Sequence, residues 1–161
     1  MSVAFKKLIG APDETAVGDT PCDSGGQYGT SFVATASGII KQMHFYTPFT
    51  SATATIALYT DNIGYADVLL NKVADIPITS SGWLSANFPD TPVTEGVTYW
   101  IIVNQSSYGN WVSSAAGGER YYQAGTAFNN PFGPWDLGPF TDGGMLVTGY
   151  GLKAKFFAKK G

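Results

Sequence analysis

At 161 residues, with 13% charged and 14% aromatic residues and 20 glycines, the chain fits one all-β domain that folds without metals or disulfides. One cysteine, Cys22, and one histidine, His44, exclude an internal disulfide and a zinc centre. A net charge of −3 argues against nucleic-acid binding, and no run approaches the ~20 apolar residues that insert across a bilayer.

The charge is unevenly spread. Lys6, Lys7, Lys153, Lys155, Lys159 and Lys160 sit at the ends, whereas the stretch from Asp13 to Asp142 holds all twelve acids against three bases, a formal charge of −9. Either the terminal lysines keep edge strands from pairing with other chains, or the two ends lie together and dock the domain onto an acidic partner surface. Lys6, Lys7, Lys153 and Lys155 are the anchor candidates.

In chain order, residues 1–28 read as an N-terminal arm or strand packing on the domain or on a neighbour, with a strand at Val3–Ile9 and a loop from Gly10 to Gly29. The β-sandwich domain follows at 29–161. Leu8-Ile9-Gly10-Ala11 is too short for a signal-peptide core, which predicts synthesis in the cytoplasm. Strands are predicted at Ser31–Ala36, at Ile39–Thr47 with Met43 and Phe45 on one face, and at Thr53–Thr60 with Ile56 and Leu58 inward. Asp61-Asn62-Ile63-Gly64 reads as a turn. Asp67–Asp75, Gly82–Phe88 and Val97–Asn104 continue the series. In the last of these Val97, Tyr99, Ile101 and Val103 face one way and Trp100 and Ile102 the other, which predicts a central strand covered on both faces. From Tyr108 to Phe140 glycine, proline, asparagine and aromatics dominate, with short strands at Trp111–Ser113 and Arg120–Gln123. A final strand, Met145–Phe157, places Leu146, Tyr150 and Leu152 on one face and Lys153 and Lys155 on the other.

Four segments carry a resemblance: Tyr28-Gly-Thr-Ser-Phe-Val-Ala-Thr-Ala-Ser-Gly-Ile-Ile-Lys-Gln-Met-His-Phe-Tyr46, Thr55-Ile-Ala-Leu-Tyr-Thr60, Ser81-Gly-Trp-Leu84 and Phe88-Pro-Asp-Thr-Pro-Val-Thr-Glu-Gly-Val-Thr-Tyr-Trp-Ile101. From about residue 28 to 151 the chain resembles an uncharacterised jelly-roll family found beside carbohydrate-active and surface modules in bacterial proteins. The resemblance implies a jelly-roll-like antiparallel β-sandwich. It sets no function by itself, because such folds host lectins and virion components alike.

Catalytic patterns fail for want of partners. Cys22-Asp23-Ser24-Gly25-Gly26 resembles a serine-protease nucleophile loop, but His44 lies later, on a strand, and nothing pairs it with Ser24 or Cys22. Glu14, Glu95 and Glu119 each fall in turn or loop signals, not as a facing carboxylate pair. Asp61, Asn62 and Asp67 are weak candidates for a structural Ca²⁺, since their spacing follows no ligand rule and a glycine-containing turn between strands is the better explanation.

The aromatic segment is the best functional candidate. Tyr108, Trp111, Arg120, Tyr121, Tyr122, Asn129 and Trp135 combine rings with amide and guanidinium donors. That set suits a glycan, a mini-core under a long loop, or a subunit interface. Together these features predict a non-catalytic attachment or decoration module, without cofactor, in a virion or extracellular surface assembly such as a phage fibre, tail or capsid decoration. Its expected partners are other subunits, as a homo-oligomer. A carbohydrate-binding module or lectin using the loops at 108–135 is the alternative.

Overall fold

The computed structural model of the protein describes residues 4–11, 20–22, 26–106, 109–111, 119–124, 128–140 and 145–154, with backbone alone at 20–22, 109–111 and 140. Among them the chain is all β, without a helix: β1 (Lys6–Gly10), β2 (Thr20–Cys22), β3 (Gln27–Val33), β4 (Gly38–Thr47), β5 (Ala52–Asn62), β6 (Tyr65–Ile78), β7 (Gly82–Val93), β8 (Thr98–Gln105), β9 (Gly109–Trp111), β10 (Arg120–Gln123), β11 (Leu137–Phe140) and β12 (Val147–Lys153). A four-stranded sheet in the order β1-β12-β4-β7 faces a six-stranded sheet in the order β11-β10-β3-β8-β5-β6, and β2 pairs with β9. All neighbours are antiparallel. The result is a β-sandwich.

Alternation builds the core. On β4, Ile40, Met43 and Phe45 are buried, and they meet Ile56 and Leu58 of β5 and Tyr99, Ile101 and Val103 of β8 between the sheets. Burial of each such aliphatic side chain contributes about 1.5–3 kcal/mol. β8 lies between β3 and β5, and Trp100 and Ile102 on its other face are also buried, as the doubly apolar sequence predicts.

Several boundaries differ from those read off the sequence, each for a physical reason. β6 and β7 run through Pro77, Pro89 and Pro92, which read as breakers; both strands are sheet edges, where a missing N–H costs no ladder bond. β3 starts at Gln27, inside the expected loop, because Gln27, Tyr28 and Gly29 pair with β10 while Tyr28 and Gly29 also pair with β8. Of the 1–28 segment, β1 packs on the domain itself: it pairs with β12, and Leu8 and Ile9 are fully buried.

β12 spans Val147–Lys153, residues 155–157 of the expected strand lying outside the described residues, and its Val147 and Gly149 meet the core. A Cβ on Gly149 would lie 2.9 Å from Ile9 and one on Gly151 only 1.8 Å from the Ile39 carbonyl oxygen. Leu146 instead joins Ala11, Tyr46 and Trp83 in a separate cluster, and Tyr150 stacks on His44 with ring centroids 4.3 Å apart.

Candidate functional site

A second apolar layer covers the outer face of the six-stranded sheet. Ala57 and Tyr59 of β5, Ala66 of β6 and Trp100 and Ile102 of β8 form its floor, and Phe128 and Phe132 from the loop between β10 and β11 close over them. That loop is stitched to both sides of the sheet. Toward β6, the Phe132 and Gly133 N–H groups donate to the Asp67 and Ala66 carbonyls at 2.9 and 3.2 Å, and Asn130 Oδ1 accepts the Leu69 N–H at 3.1 Å. Toward β10, the Asp136 N–H donates to the Tyr122 carbonyl at 3.1 Å and Asp136 Oδ2 accepts the Ala124 N–H at 3.0 Å. Gln27 Oε1 of β3 accepts the Phe128 N–H at 3.1 Å. Among the described residues the Phe128, Phe132, Gly133 and Asp136 N–H groups thus find acceptors as the strap crosses the sheet.

Trp135 sits where the strap crosses β3 and β8. A Cβ on Gly29 would lie 2.6 Å from the Trp135 ring, so only glycine leaves room for the indole. Trp135 packs on Trp100, Phe132 and Tyr121 with centroid separations of 5.4, 4.7 and 5.8 Å. Beside it opens a cleft of about 390 Å³ lined by Ile63, Tyr65, Tyr121, Pro134, Trp135 and Pro139, together with two glycines, Gly64 and Gly138. Its outer rim is apolar and exposed: Ile63 is 92% and Tyr65 53% exposed. Ile63 has φ of 49° and Gly64 of 86°, a tight hairpin turn that holds a β-branched residue in the left-handed region with its side chain in solvent.

None of the lining residues is charged, and carboxylates lie behind some of the rings. Glu119 Oε2 is 3.5 Å from the Tyr121 hydroxyl. Asp61 Oδ1 accepts the Trp100 indole N–H at 2.8 Å, and Asp136 follows Trp135 directly. Burial, then the charge and hydrogen bond of Glu119, with a smaller contribution from Tyr65, raise the Tyr121 hydroxyl above the ordinary tyrosine pKa. Burial raises Tyr59 further.

The structure divides the residues singled out in the sequence. Tyr121 and Trp135 line the cleft. Tyr122, one position along β10, turns to the other face and packs on Tyr28 at 5.1 Å against the inner core. Arg120 is 4% exposed, off the surface where a guanidinium would meet a glycan. Asn129 is exposed but is not part of the lining. Tyr108 and the Trp111 side chain lie outside the described residues. The outer layer makes part of the aromatic segment a mini-core and leaves its edge as a cleft.

Sequence reasoning missed Ile63, Tyr65, Pro134 and Pro139 as lining, and Gly29 as the seat of Trp135. Only the Ile63-Gly64 turn carried a local signal, since the others depend on which strands become neighbours.

Asp61 is committed to Trp100, Asn62 is exposed opposite Tyr65 and the Asp67 carbonyl holds the strap. Among the described residues no group of three or more His, Cys, Asp or Glu side chains gathers. His44 Nε2 is 3.4 Å from Gln42 Oε1, and its ring lies against Tyr150; the Cys22 and Ser24 side chains lie outside the described residues. Lys6 and Lys153 are exposed on the paired strands β1 and β12, where Lys6 faces Gly151, and Phe5 beside them is 38% exposed. Lys7 Nζ donates to the Ala11 carbonyl; Lys155 lies outside the described residues.

No protein-family model matches the chain, and no curated protein matches it.

Proposed function

We propose that this β-sandwich is a non-catalytic attachment module, a structural component of a larger surface assembly such as a virion fibre, tail or capsid decoration. We read the sandwich as a jelly roll: β1-β12-β4-β7 against β3-β8-β5-β6 is the strand order of two Greek keys, with β10 and β11 extending one sheet. The observation that carries the functional reading is a separation of surfaces. The aromatic cleft lies on the outer face of one sheet, while Lys6 on the edge strand β1, Phe5 before it and Lys153 on the adjoining β12 belong to the other.

The basic edge is the anchor. Its complement is present in every copy of the chain, since the section from Asp13 to Asp142 carries a formal charge of −9. A neighbouring copy therefore satisfies it, in a heterologous contact that builds rings or filaments. The cleft is then left facing outward. Sedimentation velocity tests this. The chain is expected to run well above its 17.1 kDa monomer mass at low salt, and to fall toward monomer at high salt and in a Lys6→Glu/Lys153→Glu variant. A wild-type chain that is monomeric at every concentration and ionic strength contradicts the reading.

The carbohydrate-binding alternative is supported by the rings of Tyr65, Tyr121 and Trp135 in one cleft. Against it, the guanidinium and indole donors are out of reach, because Arg120 and the Trp135 Nε1 atom are buried.

A further inference from the structure

We infer that the outward cleft binds a quaternary ammonium group. This rests on the reading of the cleft as the module's contact site, and it names the chemistry of what is contacted. Three rings, Tyr65, Tyr121 and Trp135, share the lining with two prolines, Pro134 and Pro139, and no lining side chain carries a charge. Aromatic faces carry the negative lobe of the ring quadrupole and attract cations.

The carboxylates behind those rings add to that potential. Glu119 lies at the Tyr121 hydroxyl, and Asp61 holds the indole N–H of Trp100, whose ring packs on both Tyr121 and Trp135 at 5.2 and 5.4 Å. Lys72 sits over Phe128, at 5.8 Å from the ring centre, and Phe128 is outside the lining. The cleft is therefore a ring-lined site with carboxylates behind its rings and no cation among its lining residues.

The lining side chains offer as acceptors only the Tyr65 and Tyr121 hydroxyls, and this decides between cations. A primary ammonium brings three N–H donors that must be satisfied, and a guanidinium brings five. Here no lining side chain is a carboxylate, and the Tyr121 hydroxyl is turned to Glu119. A trimethylammonium group has no donor to satisfy. It spreads its charge over methyl groups that pack on aromatic and proline faces, and it needs only a nearby negative field.

The probe is tetramethylammonium chloride, titrated into the full chain and followed by two-dimensional NMR, with sodium chloride at matched ionic strength as the reference. Saturable shifts confined to Tyr65, Tyr121 and Trp135 are expected, and no saturable shift with methylammonium or with neutral tert-butanol at the same concentrations. Glu119→Gln is expected to weaken binding about threefold. Tyr65→Ala, at an exposed rim position, is expected to abolish it without altering the fold. Equal binding of tert-butanol, or no saturable shift with tetramethylammonium, overturns the inference. Sedimentation of the Lys6→Glu/Lys153→Glu variant reads the assembly separately, so failure of the ligand leaves the attachment reading to stand or fall on its own measurement.

Discussion

The two apolar layers of this molecule are assembled by different rules. The inner core takes alternate residues from strands of both sheets, with Ile40, Met43, Phe45, Ile56, Leu58 and Ile101 nearly or fully buried. The outer layer takes rings from one strand face and closes them with a loop strap, leaving Tyr121 and Trp135 partly exposed at its edge. A layer closed from both sides supports the fold; a layer closed from one side by a loop leaves a cleft where it ends.

That contrast can be broken by mutation. Phe45→Ala is expected to cost about 3–5 kcal/mol in equilibrium urea unfolding, because it empties a fully buried site. Trp135→Ala at the half-buried edge is expected to cost much less, and an equal cost would make the outer layer part of the scaffold. Gly29→Ala sharpens the contrast, since its new methyl must displace the Trp135 ring. A loss of about 1–3 kcal/mol, with a changed near-ultraviolet circular dichroism signal, is expected.

Much of the inner core was legible before any coordinates, because a two-residue period shows directly which face of β4 or β8 is buried. The cleft was only half legible. Tyr121 and Tyr122 look alike in sequence, yet alternation sends one outward to Trp100 and the other inward to Tyr28. Ile63 and Tyr65 join the cleft through a hairpin far from residue 135 in the chain, a pairing that no local pattern encodes. The seat for Trp135 is a glycine, a residue whose contribution is the absence of a side chain. On β12 alternation did not show which face is inner, because the position that meets Ile9 and Ile40 is Gly149, which has no side chain.

Two smaller effects concern the outer layer and its rim. Ile63→Asn is expected to raise stability by about 1 kcal/mol by relieving a β-branched residue at φ of 49°, read as a higher urea midpoint. Tyr59→Phe removes a buried hydroxyl that has no hydrogen-bond partner and is expected to be neutral or stabilising by up to about 1 kcal/mol.

Alkaline pH separates the layers again. Tyr59 and Tyr121 have folded pKa values raised above the unfolded value, chiefly by burial. The folded state therefore holds these protons more tightly, so their contribution is complete below the ordinary tyrosine pKa and is lost as pH rises through the raised values. Unfolding midpoints are expected to decline from about pH 10 upward, and less steeply in Tyr59→Phe.

Hydroxyl-radical footprinting of the associated and the salt-dispersed chain tests the separation of anchor and contact site most directly. On association, the account predicts protection of Phe5 and of β1 and β12, with Ile63, Tyr65 and Leu137 as reactive as in the dispersed state. Protection of Ile63 and Tyr65 with Phe5 left reactive would contradict it.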